Sequence, residues 1–364
     1  FYCFPFFRGE SYENNSLLFS EGVIYRMDIL KALGFENPPE TADELYEVLK
    51  AIKEAGVVEI PMSIRADHID RFFSPAFDSW DNWYVEDGVV KHGYLEANRY
   101  DFLAFVHKLY AEGLLDNDYM SVNKNGMNSM FLSGKIAVGY NPGSLIANAV
   151  KTMGDVEISS AKPLTAVKGR NSKFAKMNTV YDTGAASAAA ITTSCKNVEA
   201  AARLLDYAYG EEGHMLVNFG IEGVTYEMVD GYPTYTAFVK ENMDDVMAKY
   251  MRCTVNGAFV QDPRYIEQYY DTKEQTAALS LWSQTDYGKY MLPPVSISSE
   301  DGAKVASIIN KVNTYADEME TKFITGAIEL NEKTFAEYQA QLRTFGLEEA
   351  AAIYQKAYEA YLAK

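Results

Sequence analysis

Gly22-Val-Ile-Tyr-Arg-Met-Asp-Ile-Leu-Lys-Ala-Leu-Gly-Phe35, running on into Pro38-Pro-Glu-Thr-Ala-Asp-Glu-Leu45, is the stretch whose reading decides the fold. Gly22–Tyr25 is apolar and partly β-branched, as a buried strand should be. Asp28 reads as the cap of a helix whose Ile29, Leu30 and Leu33 share one face, and Gly34 stops it where a left-handed residue costs least. Pro38-Pro39 bars helix, and Thr41 with Glu44 forms a capping box that starts the next one. That helix turns Leu45, Val48, Leu49 and Ile52 inward and ends at Gly56. A strand followed by two separately bounded helices is the beginning of an α/β unit.

Working outward, the same grammar recurs. Ile60-Pro-Met-Ser-Ile-Arg65 reads as a short strand and the Pro75 region as a loop. Asp87-Gly88 supplies the positive φ of a hairpin turn. A helix then buries Phe102, Leu103, Phe105, Val106, Leu109 and Tyr110 and ends at Gly113. Phe131-Leu-Ser-Gly-Lys135 closes a helix, Ile136–Tyr140 is a strand, and Asn141-Pro-Gly143 is a loop opening the next helix. Residues 160–178 read as loop, and Ala185–Ile191 as a small-residue strand. Asn197 caps Val198–Tyr209, whose face is Ala201, Leu204, Leu205 and Ala208. Residues Tyr265 to Tyr290 look irregular and aromatic-rich. Three helices close the chain, the first stopping at Gly326 and the second at Gly346.

Bulk composition narrows the function. The 364 residues carry 51 acids against 33 Lys and Arg, a formal charge of −18, which disfavours nucleic acid and anionic lipid as partners. No apolar run is long enough to span a bilayer. Cys3, Cys195 and Cys253 are odd in number and widely spaced, so they form neither a disulfide framework nor a zinc site. The opening Phe1-Tyr-Cys-Phe-Pro-Phe-Phe7 is not a signal peptide.

Four phrases in order carry a resemblance. They are Tyr25–Leu45, Phe131–Gly143, the string Lys196-Asn-Val-Glu-Ala-Ala…Asn218-Phe-Gly-Ile-Glu-Gly223 with its Asp230-Gly231 hairpin, and Phe323–Leu347. Together they resemble the family-1 extracellular solute-binding proteins of ABC importers, and the third resembles a Firmicutes-type lipoprotein branch. Two departures stand out: Ala42 replaces the family's Trp, and Ser144 replaces a Trp frequent in sugar-binding relatives, removing one stacking platform.

The resemblance implies an α/β, periplasmic-binding-protein-like fold of type II, two lobes joined by crossover strands with a mostly helical C-terminal tail. It implies residues 1–7 as a crossover strand, 8–178 with 298–364 as the C-terminal lobe, and 185–290 as part of an N-terminal lobe whose remaining strands lie upstream. It further implies a monomeric extracellular protein, anchored by a lipid placed upstream, that hands a small-molecule ligand, an oligosaccharide, to membrane permease subunits; the alternatives are a cell-surface glycan-cleaving enzyme, or the same fold binding a peptide or acting as a sensor module.

Catalytic signals are thin. Only four His are present, with no HExxH, GxSxG or GxxxxGK[ST]. Asp78 with Asp81, or Glu211 with Glu212, would suit a glycosidase carboxylate pair, but solvated acids are the plainer reading. No calcium loop pattern occurs, so neither metal nor cofactor is assigned. Binding suits the composition better: rings stack on sugar faces while carboxylates, amides and guanidiniums bond hydroxyls. The candidates are the aromatic and polar residues on loops and crossovers: Phe6, Asp67, His68, Phe72, Asp78, Trp80, Tyr140, Asn141, Tyr181, Asp182 and Trp282. Phe72 also reads as core, and Asp182 as a turn former.

Overall fold

Strand Glu21–Arg26 lies inside a four-stranded sheet of the computed structural model, which describes residues 3–12, 15–175, 178–183 and 187–363. The strand order is Ile60–Ser63, Ile136–Pro142, Glu21–Arg26, Ile158–Ser160. Ile136–Pro142 pairs parallel with Ile60–Ser63 and antiparallel with Glu21–Arg26, placing Val138 beside both Met62 and Tyr25. Its seven residues are buried or nearly so, which explains the unbroken apolar run; the strand passes through Asn141-Pro142, where a loop was expected.

The helices begin and end near the expected positions, but Asp28 does not cap and the Thr41–Glu44 capping box is only half formed. Helix Met27–Ala32 starts from Arg26 without a side-chain cap; Asp28 sits in its first turn and binds Arg26 instead. At the other end Phe35 N–H bonds Leu30 O and Gly34 N–H bonds Lys31 O, a Schellman closure with Gly34 at φ 91°. Thr41 caps Ala42–Ala55 through Glu44 N–H, while the Glu44 carboxylate reaches back to Glu40 N–H.

The backbone divides into two compact units, Phe1–Ser20 with Met177–Ser283, and Glu21–Lys176 with Gln284–Lys364. The second, larger unit holds one continuous apolar core. Leu45, Leu49 and Ile52 share it with Val138 and Tyr25, and helix Arg99–Ala111 packs against Ser299–Thr325. The tail helices, Ser299–Thr325, Glu332–Thr344 and Leu347–Leu362, stop where Gly326 and Gly346 take positive φ.

In the smaller unit, Phe6–Arg8 is the middle strand of three, parallel to Val260–Gln261 and antiparallel to Tyr181–Asp182. These bonds, with Gly9 N–H to Gln261 O and Asn178 N–H to Leu18 O, hold residues 8–20 in the smaller unit and not in the larger, where the sequence reading put them. Residues 284–290 likewise belong to the larger unit, tied by Asp286 N–H to Ser172 O. The supposedly irregular 265–290 segment contains helices Pro263–Tyr269 and Lys273–Trp282. Thr272 and Gln275 form a reciprocal capping box there, a signal present in the sequence. The strand expected at Ala185–Ile191 lies partly outside the described residues, and Ala189 makes an isolated bridge to Phe4.

Candidate functional site

In the larger unit, strand Ile60–Ser63 leaves the sheet through Arg65 into the turn Ala66–His68 and the short helix Ile69–Phe73. Side chains from this connection meet the half-buried beginning of Glu21–Arg26. Arg71 is ion-paired with Glu21, and Arg65 grips Asp67 by two bonds of 2.9 and 2.5 Å. His68 lies beneath, buried, its ring edge-on to Tyr140 at 5.0 Å, and Phe72 continues the apolar floor 6.0 Å from Tyr140.

Electrostatics follow from this placement. The hydrogen bond from Arg65 holds the Asp67 carboxyl down to about 2, so it is fully ionised at neutral pH. Burial pushes the His68 imidazole down to about 4 against the pull of Glu21, whose Oε1 lies 3.4 Å from Nε2. His68 is therefore neutral at pH 7, and among the described residues neither ring nitrogen has a hydrogen-bond partner. The cluster is an alternation of two carboxylates and two guanidiniums over an aromatic floor. Such an array offers acceptors and fixed donor forks to a ligand rich in hydroxyls, with no net charge of its own.

Behind it, Arg99 is completely buried and grips Asp70 of the same short helix on one side and Glu320 of Ser299–Thr325 on the other. The Tyr338 hydroxyl donates to Glu320 at 2.8 Å, and the guanidinium lies 4.4 Å from the Phe102 ring centre. Nearby, burial and then the Asp70 charge raise the Asp81 carboxyl to about 7. This hub anchors the helix that carries Arg71 and Phe72.

Of the expected residues, Asp67, His68, Phe72 and Tyr140 come together here. Glu21, Arg65 and Arg71 were missed; each flanks a chosen residue, but only the fold brings them to one place. Asp78, at φ 47°, instead pairs with Arg170 at 2.6 and 2.7 Å. Trp80 is buried, stacked on Phe174 with ring centres 5.8 Å apart, its indole N–H without a hydrogen-bond partner among the described residues. Asn141 is also buried, and its amide lies where a Cβ on Gly139 would fall, on the opposite face of the strand from Tyr140.

The other four lie in the smaller unit. Phe6 and Trp282 are buried, Phe6 against Phe259 at 5.1 Å. Asp182 pairs with Arg8 at 3.4 Å, and the half-exposed Tyr181 leans on Phe7 at 5.5 Å.

The smaller unit has its own polar cavity, of about 370 Å³, where Glu10, Ser11 and Asn15 face His214, Asp262 and Arg264. Burial pushes the Asp262 carboxyl up, but hydrogen bonds from His214 (2.9 Å) and Arg264 outweigh it and keep the carboxylate ionised. A Ser beside a His–Asp pair invites comparison with a nucleophilic triad. Here His214 spends Nε2 on Asp262, and Nδ1 faces the Asn218 amide at 3.4 Å, so no ring nitrogen is directed at Ser11 as a base. Among the described residues no group of three or more His, Cys, Asp or Glu is placed to hold a metal ion, and no helix is long and apolar enough to cross a membrane.

Comparison with known proteins bears on the family and the fold. Residues 10–215 match the sequence profile of the bacterial extracellular solute-binding proteins. The chain is 27% identical over 239 residues to the lipoprotein LipO of Bacillus subtilis, a match covering 60% of this chain and 46% of that protein. The chain thus spans less than half the length of that curated relative. Among solved structures, the alginate-binding protein AlgQ2 in its calcium-free form superposes with a TM-score of 0.78 at 25% identity, covering 98% of this chain and 74% of AlgQ2. FusA of S. pneumoniae, an ABC-transporter substrate-binding protein solved with kestose, superposes with a TM-score of 0.76 at 20% identity, covering 100% and 76%. The latter likeness is one of fold, which is periplasmic-binding-protein-like.

Proposed function

The chain belongs to the bacterial extracellular solute-binding protein family, and on that premise we propose that it captures an oligosaccharide for an ABC importer, by binding and without chemistry. The observation that carries this reading is the likeness, over nearly the whole chain, to a protein whose name records alginate binding. The cluster of Glu21, Arg65, Asp67 and Arg71 over His68 and Tyr140 supplies the chemistry such a ligand needs. Hydroxyls would exchange with the paired carboxylates and guanidiniums, and sugar faces would meet rings. In this reading the protein is tethered outside the cell, as the lipoprotein relative suggests, and delivers its ligand to permease subunits.

The test is a thermal-shift screen of the complete protein against mono- and oligosaccharides, with peptides alongside, followed by product analysis of every hit. A ligand held about a hundredfold above its dissociation constant should add about 2.7 kcal/mol of stability. A rise with a saccharide, with the sugar recovered intact, supports the reading. Stabilisation by peptides alone would move the ligand class, and cleavage of the sugar would make the protein an enzyme.

A further inference from the structure

The charges enclosed around Arg99 do not balance. Arg99 has no exposed surface, and among the described residues its four hydrogen bonds go two to Asp70 and two to Glu320. Those two carboxylates already outnumber the one guanidinium. A third carboxyl, on Asp81, lies within the field of all three groups. Backbone packing keeps it there. A Cβ at Gly93 would fall 1.7 Å from Trp80 O, so the chain just before Asp81 can come this close only to a glycine. The next residue, Tyr94, has its ring centre 5.0 Å from the guanidinium carbon. The Asn98 amide donates to Phe77 O at 3.0 Å and to Asp78 O at 2.7 Å, fastening the approach to Asp81 onto the start of helix Arg99–Ala111.

We infer that Asp81 is a positioning residue for the candidate site: a proton on its carboxyl keeps the short helix Ile69–Phe73, with Arg71 and Phe72, seated on the hub, and loss of that proton loosens the helix. The hydrogen bonds place the proton on Asp81. Arg99 gives its donors to Asp70 and Glu320, and the Tyr338 hydroxyl also donates to Glu320, so Asp81 is the surplus acid. Burial raises Glu320 too, but the bonds from Arg99 and Tyr338 oppose it. The other groups facing the hub do not take the place of Asp81. Burial pushes the hydroxyls of Tyr94 and Tyr338 up and the His92 imidazole down to about 3, so all three are neutral near pH 7. Burial also raises Asp317, which faces Asp70 and Arg99 from helix Ser299–Thr325 and adds a further acid to the same side. Asp81 itself is raised from 3.8 to about 7, so the folded chain keeps a proton that the unfolded chain has lost. Its stabilising share is complete below about pH 4, declines as pH rises towards 7 and is gone above. Three carboxylates around one guanidinium then repel, and the weaker seat yields. Asp70 stands on a five-residue helix with 18% of its side chain exposed, whereas Glu320 is 9% exposed within a helix of 27 residues. The inference concerns residues of the candidate site and not the ligand; only its bearing on capture rests on the saccharide reading.

Deuterium exchange of the whole protein, without ligand, tests this at the Ser74 amide, which donates to Asp70 O at the end of the short helix. Corrected for the intrinsic rate, its exchange should be about tenfold faster at pH 8.5 than at pH 6, as linkage to a group titrating at about 7 requires. Asp81→Asn should remove that difference. The same variant should melt several degrees above the unaltered protein at pH 8.5 and no higher at pH 4. In the unaltered protein, labelled with 13C at its aspartate carboxyls, one signal should titrate near pH 7, a readout that needs no variant. Equal exchange at the two pH values, a rise that persists in Asp81→Asn, or aspartates that all titrate below pH 6 would overturn the inference. No ligand enters these measurements, so a failure of the saccharide reading would show in the thermal-shift screen and leave them unchanged.

Discussion

Two helices of similar design have different fates in the two units. Ser299–Thr325 of the larger unit buries Val305, Ile308, Val312, Ala316 and Phe323 at helical spacing. Val198–Tyr207 of the smaller unit has an equally clear apolar stripe and buries none of it. Periodicity in a sequence therefore states that a helix has an inner face; it does not state that anything covers it. The larger unit answers its stripes with one continuous core, down to a guanidinium with no exposure.

The contrast breaks first at Arg99. Arg99→Ala would leave Asp70 and Glu320 facing each other without a cation, and should cost about 3–5 kcal/mol in denaturant unfolding. A loss below about 1 kcal/mol would mean that the larger unit tolerates charge as the surface does. Acid titration comes next. His68 and His92 are both buried, and burial lowers their imidazoles to about 4 and about 3 from 6.5. The unfolded chain takes up these protons below pH 6.5 while the folded chain does not, so their contribution to stability declines as pH falls from 6.5 towards 4. Each unit of depression is worth about 1.4 kcal/mol once the pH has passed through it. Imidazole NMR signals of both residues should stay neutral at pH 5.5, and signals titrating near 6.5 would refute their enclosure. The smallest effect belongs to the smaller unit: Arg203 and Glu199 form an exposed pair at 2.7 Å on Val198–Tyr207. Arg203→Ala should change stability by no more than about 0.5 kcal/mol. A larger loss would show that this polar side of the helix is packed.

Much of the larger unit was legible because its boundaries are chemical. Gly34, Gly56, Asp87-Gly88, Gly326 and Gly346 each mark a backbone conformation that few residues supply, and the chain turns or stops at each, while Thr41 marks a helix start by its side-chain cap. The site was less legible because its charged members are spread between positions 21 and 71 and meet only through sheet pairing. The buried hub did leave a trace. Arg99 stands on the stripe of Phe102, Leu103 and Val106, and Glu320 on the stripe of Ala316, Phe323 and Ile324. Opposite charges, each at an inward phase of its own helix, announce a buried pair before any coordinates are seen. The unit boundary was misplaced for residues 8–20 because strand partners contributed from residues 181–182 and 260–261 leave no local signature.

The Arg99 hub also sets an order of events during synthesis. Its members come from residues 70, 320 and 338, so the hub is not complete until helices Ser299–Thr325 and Glu332–Thr344 exist. A nascent chain that has emerged only as far as residue 300 holds Arg99 and Asp70 without their closing acid and tyrosine. Contacts so distant in sequence are slow to form, because a long loop must close before they repay its entropy. The larger unit therefore closes its charged hub only after residues 320 and 338 have been made.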